Sequence, residues 1–281
     1  MGVPGRKKPR RENKSPQNLE MMRRSGLLVW EALFKVVRPM VVPGTTTKEL
    51  DQAIERYFRA HNASSLFKNY VPDGSNVPPF PAVTCISINE EVVHGIPGPR
   101  QLKEGDIVSI DTGCKLDGWC GDAAVTFPVG KVSPEVQRLL DVTQGVLDLA
   151  IYLIGRSSRW SDVATEMEKY VKDHGFFVVE TFVGHGIGRE MHEDPQVPNF
   201  MSDQLKKNGD FVLEPGLVIA VEPMVNVGTK RVRTRPDRWT QVTADRRPSA
   251  HFEHTIAVTK DGPYVLTAPP GQEFPLAGKT G

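Results

Sequence analysis

The stretch IDTGCKLDGWCGDAA, residues 110–124, places two acids, Asp111 and Asp122, on either side of a tight turn. The flanking runs DIVSID and AAVTF are β-like, so the segment is expected to fold as a hairpin. If Leu116-Asp117 form the two-residue turn, Asp111 faces Asp122 directly. If Asp117-Gly118 form it, which is the stronger turn signal, Asp122 becomes a diagonal neighbour of Asp111. In either register both carboxylates share one face, roughly 5–8 Å apart. Two such acids among apolar neighbours repel, and one would hold its proton abnormally tightly unless a cation lay between them. The plainer reading is a pair of surface aspartates on an exposed sheet face.

Three later segments bear on that choice. FVGHGIGREMHEDP sets His185 between two glycines at a strand end. IAVEPMV puts Glu222 in an apolar run, and HFEHTIAVT starts another apolar run with Glu253. A buried glutamate is costly unless paired or bound. Each residue alone has an ordinary explanation, as a satisfied strand-end histidine or an edge-strand acid. Together Asp111, Asp122, His185, Glu222 and Glu253 form an oxygen-rich ligand set with one imidazole. Two divalent ions would balance its four negative charges. Such a set suits Mn, Fe or Co, or Zn with added oxygen ligands. The chain lacks HExxH, and GHGIG has no dinucleotide-binding spacing.

The rest of the chain reads as helices followed by strands, twice. Residues 17–40 look helical. In GTTTKELDQAIERYFRAHNA, Thr46 and Glu49 have capping-box spacing, and Leu50, Ala53, Ile54, Tyr57 and Phe58 recur at helical intervals. Residues 65–82 are rich in Pro and Gly and are expected to form a loop. Ser133-Pro134-Glu135 opens a third helix. SDVATEMEKYVKDHGF supplies a fourth, ending near Gly175. The fold class expected is α/β (α+β): two related halves in one domain, with mainly antiparallel sheet covered on one side by helices.

The 281 residues carry a net charge of +1, unevenly spread. Residues 1–14 hold six Lys or Arg and one Glu, a balance of +5, which leaves −4 for the remainder. Residues 1–16 are expected to be a disordered basic tail, 17–270 a single catalytic domain and 271–281 a flexible C-terminal tail. The tail suits phosphate contact with ribosomal RNA, or is simply a solubilising arm. No run of about 18 apolar residues is present to cross a bilayer. Three cysteines without CxxC fit a reducing cytoplasm better than a disulfide framework. Cys114 and Cys120 read as small strand residues.

CISINEEVVHGIP, SIDTGCKLDGWCGDAA, GHGIGREMHEDP, VEPMV and SAHFEHTIAVT, in this order, resemble the type I methionine aminopeptidases over roughly residues 17–265. The resemblance implies the pita-bread fold, two pseudo-symmetric halves around a dinuclear centre of Co, Mn, Fe or Zn. It implies that Asp111, Asp122, His185, Glu222 and Glu253 are the metal ligands, with Asp122 and Glu253 bridging. It assigns His94 to the substrate near the scissile amide and His192 to the scissile carbonyl. Glu222 would relay a proton from water to the leaving amine. Phe80, Cys85, Met191 and Trp239 would line the pocket for the first side chain. The implied substrates are nascent polypeptide N-termini, and a monomer without membrane attachment is expected.

The chain departs from the family's pattern at Cys120 (often His), His251 (commonly Gln) and Met191 (usually Phe). The last puts the strictness of methionine selection in question. Two other readings remain at this level: an aminopeptidase of different side-chain preference, and a non-catalytic pita-bread protein that binds ribosomes or RNA.

Overall fold

The computed structural model describes residues 13–72, 74–203 and 205–272. Four long helices lie in it: α1 (Pro16–Glu31), α2 (Thr47–Ala60), α3 (Pro134–Ile154) and α4 (Trp160–Asp173). The strands of the first half are β1 (Ser64–Ser65), β2 (Cys85–Ile88), β3 (Glu91–Val93), β4 (Ile107–Leu116) and β5 (Trp119–Pro128). The second half holds β6 (Phe177–Val178), β7 (Gly184–Gly186), β8 (Glu193–Val197), β9 (Val218–Val221) and β10 (Met224–Asn226). It continues with β11 (Val232–Thr234), β12 (Gln241–Thr243), β13 (Ser249–His251), β14 (Glu253–Thr259) and β15 (Gly262–Val265).

Helix starts follow the local sequence. Ser15 and Ser133 accept the N–H of Asn18 and Val136 and cap α1 and α3. Thr46 and Glu49 close a complete capping box on α2. The first helix is not continuous to residue 40. It widens into a π turn at Ala32–Val37 and tightens at Arg38–Met40.

Nine strands form one sheet in the order β1-β4-β5-β14-β9-β7-β8, with β2 added at β4 and β15 at β14. Its pairings are antiparallel, as expected from the short connections. The helices bury their apolar stripes on one side. Leu50, Ile54 and Phe58 of α2, Leu139 and Val146 of α3, and Val163 and Met167 of α4 share one core with Ile110, Val221 and Ile256 of the sheet.

Two glycines let α1 lie close on this sheet. A Cβ at Gly121 would sit 2.6 Å from the Gly26 nitrogen, and one at Gly26 would sit 2.2 Å from the Leu266 carbonyl oxygen. Both contacts are with backbone, so larger residues would push the helix away from the hairpin at Gly121 and from the segment after β15 at Gly26.

The two halves meet where β5 pairs β14, through Ala124–Glu253 and Ala123–His254. This ladder is short, and Thr255 reinforces it. Its hydroxyl accepts the Asp122 N–H at 3.1 Å and donates to the Asp122 carbonyl at 2.7 Å. The seam between the halves therefore fixes the backbone of one candidate ligand.

The boundary of the expected tail needs correction. Residues 1–12 lie outside the described residues, but Asn13–Pro16 are part of the fold. Lys14 is 8% exposed. Its N–H donates to the Gly216 carbonyl at 2.7 Å, and its Nζ pairs with Glu193 Oε2 at 2.6 Å. At the other end, residues 271–272 complete a turn on Pro269, and 273–281 lie outside the described residues. No described helix is long and apolar enough to cross a membrane.

Candidate metal centre and substrate pocket

The hairpin takes the Asp117-Gly118 register. Both turn residues have positive φ, 51° and 80°, as a type I′ turn requires. Leu116 pairs with Trp119, Gly113 with Asp122 and Asp111 with Ala124. Asp122 is thus the diagonal neighbour of Asp111 on one face. Gly113 makes room for it, since a Cβ there would lie 2.8 Å from Asp122 Oδ1.

Register also delivers Glu253. It pairs with Ala124 from the other side, so Asp111, Ala124 and Glu253 form one row across three strands. His185, on β7, pairs with Ala220 of β9. Its Nδ1–H donates to the Gly186 carbonyl at 2.9 Å, which leaves the Nε2 lone pair facing the site. Glu222 is not within a strand, as its apolar run suggested. It occupies the break between β9 and β10, ahead of Pro223, with Oε1 at 3.6 Å from His185 Nε2.

All five expected ligands therefore line one pocket. Donor atoms of Asp122, His185 and Glu253 lie within 4.8 Å of one another, with Asp111 and Glu222 beside them. Burial, reinforced by neighbouring negative charge, pushes the carboxyls of Asp111, Glu222 and Glu253 well above the usual carboxylate range. Burial pushes Asp122 up to about 7. Asp111 Oδ1, Asp122 Oδ1 and Glu253 Oε1 are buried without a hydrogen-bond partner. Such orphaned, mutually repelling oxygens are the donor chemistry that divalent cations satisfy, so the residues present fit a metal centre.

Above these carboxylates the walls are apolar. Phe80, Cys85 and Trp239 pack together with Phe67, and Met191 lies against them. Phe80 and Trp239 meet edge to face with centroids 5.1 Å apart, and Trp239 Nε1–H donates to the Pro78 carbonyl at 2.8 Å. The four expected pocket residues are thus brought together. Cys85 is buried, and burial pushes its thiol up, so it serves as a small apolar wall.

The two expected histidines reach the same pocket. His94 has a φ of 60°, an uncommon conformation for a non-glycine residue that a built site over-determines. Its ring meets Phe182 and Trp239 edge-on. Burial, and then the nearby His192, depress its pKa to about 4, so it is neutral at physiological pH. The His192 ring stands edge-on to His185 with centroids 4.4 Å apart, and its Nδ1 is hydrogen-bonded to the Tyr70 hydroxyl at 2.9 Å.

Sequence reasoning passed over Tyr70, Phe67 and Phe182, which line the pocket. Tyr70 and Phe67 belong to the irregular loop of residues 65–82. That loop is braced by its own pairs, Asn69 N–H to the Phe80 carbonyl and Phe80 N–H to the Tyr70 carbonyl, at 2.8 and 2.9 Å. Of the departures, Cys120 packs away from the pocket with Leu19, Met22 and Ile187. His251 and Met191 both line it.

The sequence profile of metallopeptidase family M24 matches residues 20–260. Methionine aminopeptidase 1 of Bacillus subtilis is 43% identical over 254 residues, which cover 90% of this chain and 98% of that protein. The methionine aminopeptidase of Escherichia coli is 41% identical over 256 residues, 90% of this chain and 92% of that one. The crystal structure of methionine aminopeptidase from Thermotoga maritima superposes with a TM-score of 0.84 at 41% identity, covering 92% of this chain and 99% of that chain. Prolidase from Pyrococcus furiosus has a TM-score of 0.71 at 18% identity, a likeness of fold alone, and this chain covers 65% of it.

Proposed function

The chain belongs to metallopeptidase family M24, and from that premise we infer that it is a methionyl aminopeptidase, hydrolysing the first peptide bond of polypeptides that begin with Met. The observation that carries this reading is the juxtaposition of a desolvated carboxylate cluster with an apolar wall of Phe80, Cys85, Met191 and Trp239 in one pocket. We place two divalent ions, of Co, Mn, Fe or Zn, among Asp111, Asp122, His185, Glu222 and Glu253.

When bound, such ions supply a water of lowered pKa and polarise the scissile carbonyl. The protein's own groups do the rest. Phe80, Cys85, Met191 and Trp239 receive the first side chain. His192 donates a hydrogen bond to the scissile carbonyl oxygen as charge develops there, its ring held by the Tyr70 hydroxyl. Neutral His94 approaches the scissile amide. Glu222 accepts the proton of the attacking water and returns it to the leaving amine.

A peptide panel with Met-Ala, Leu-Ala and Ala-Pro openings, given to metal-reconstituted protein, tests the assignment. Cleavage after Met is expected, and turnover of the Ala-Pro peptide alone would overturn it. Met191, more adaptable than an aromatic ring, is expected to admit some Leu-Ala cleavage. His192→Ala is expected to lower kcat by roughly 10²-fold with metal content unchanged. Loss of metal in that variant would reassign His192 as a ligand.

The substrates proposed are nascent N-termini, met in the cytoplasm by a monomer. The basic residues from Arg6 to Arg11 are proposed to contact ribosomal RNA phosphates. The deletion that tests this removes residues 1–12 and spares Asn13–Pro16, which belong to the fold. Weaker, salt-sensitive ribosome pelleting is expected, and unchanged pelleting would remove the role.

A further inference from the structure

The Glu222 carboxylate has two unlike sides. Oε1 faces His185, where Asp122 and Glu253 converge. Oε2 lies 3.9 Å from Nε2 of His251. The backbone that carries that ring is fixed from two directions. β13 pairs with β10 through His251 and Met224, which sets it close to Glu222 by a ladder separate from the nine-stranded sheet. Its backbone N–H donates to Thr126 Oγ1 at 2.9 Å, and its carbonyl accepts from that same hydroxyl at 2.8 Å.

The ring is 2% exposed, and Nε2 is buried without a hydrogen-bond partner. It joins the orphaned oxygens of Asp111, Asp122 and Glu253. Of the seven such buried atoms among the described residues, these four share one pocket, so the orphaning belongs to the site rather than to loose packing.

We propose that His251 is a positioning residue for Glu222: its Nε2–H donates to Oε2 and keeps Oε1 turned toward the ion side. Ligating carboxylates are characteristically held in this way by an outer hydrogen bond. The gap exceeds a hydrogen bond by about 1 Å, within the reach of a small rotation of a side chain that no strand constrains. A lone pair facing the carboxylate would repel it, which selects the tautomer protonated at Nε2.

This inference rests on the metal-centre reading, and the test separates the two. Co(II) uptake by metal-free, full-length protein is followed by calorimetry, with kcat and KM for a Met-Ala-Ser peptide measured alongside. His251→Leu is expected to weaken Co(II) binding by about 10–100-fold and lower kcat, with KM nearly unmoved. His251→Gln, which restores an N–H donor, is expected to recover most of the loss. Should the Leu variant not fold, His251→Ala takes its place with the same expectation. Wild-type Co(II) affinity in the Leu or Ala variant overturns the proposal. So does a Gln variant as weak as Leu, since the ring itself rather than a donor would then be required. Absence of Co(II) uptake by the wild-type protein would overturn the metal centre itself.

Discussion

Glu253→Gln is expected to abolish metal uptake and cleavage while making the metal-free protein more stable. Both effects have one origin. Glu253 Oε1 is buried without a partner, and burial, followed by the charges of Asp122, Glu222 and Asp111, raises its proton affinity. An amide of nearly the same shape removes one negative charge from the cluster, so the remaining acids repel less. It also removes a ligand, and kcat/KM is expected to fall by roughly 10³-fold or more, as happens when one member of a catalytic unit is lost. The wild-type protein gains about 2.7 kcal/mol from an ion present at 100 times its Kd, and the variant forfeits that gain.

The pH dependence of metal-free protein has a definite sign. Asp122 is raised from 3.8 to about 7 in the fold, and its neighbours are raised with it. The folded state therefore binds more protons than the unfolded chain between about pH 4 and 7, and stability falls as pH rises through that window. Metal-free wild type should resist denaturant better at pH 5 than at pH 7, with a shallower slope in Glu253→Gln. Ion affinity runs the other way, because the ligands must be deprotonated to bind. Thermal melts with and without Co(II) measure both. A variant that is less stable than wild type without metal would show that repulsion does not govern this cluster.

The residues of that cluster were legible in the sequence because each acid interrupts an apolar run, and a desolvated charge needs a reason wherever it stands. The hairpin was legible, and of its two open registers the structure takes the one with the stronger turn signal, since Asp117-Gly118 accept the positive φ that a two-residue turn demands. The helix starts at Ser133 and Thr46 were legible from their caps. Other features carried no periodic signal. Tyr70 and Phe67 sit in a loop whose conformation depends on its own backbone pairs and on the pocket it walls. Glu222 looked like a mid-strand residue, because composition does not show that the strand breaks just before Pro223. Lys14 read as part of a solvated basic run, and its pairing with a residue 179 positions away in sequence is what holds its ammonium in the interior.

That partner makes Lys14→Met the second large effect expected, on stability rather than chemistry. Lys14 Nζ and Glu193 Oε2 are 2.6 Å apart with side chains 5% and 8% exposed. Glu193 also accepts the backbone N–H groups of Arg189 and Glu190 through Oε1, so it folds the turn that carries Met191 and His192. Removing the ammonium strands a carboxylate in the interior, a loss typically of about 3–5 kcal/mol. Glu193→Gln in the same chain takes away the stranded charge and keeps an oxygen for the two N–H groups. The double variant is therefore expected to recover at least half of the loss in a denaturant titration. A double variant no more stable than Lys14→Met would show that packing of the lysine stem, not the uncompensated charge, accounts for the effect. With the pair broken, the turn bearing His192 loses its anchor to the N-terminal segment, so a fall in kcat should accompany the fall in stability and be recovered with it.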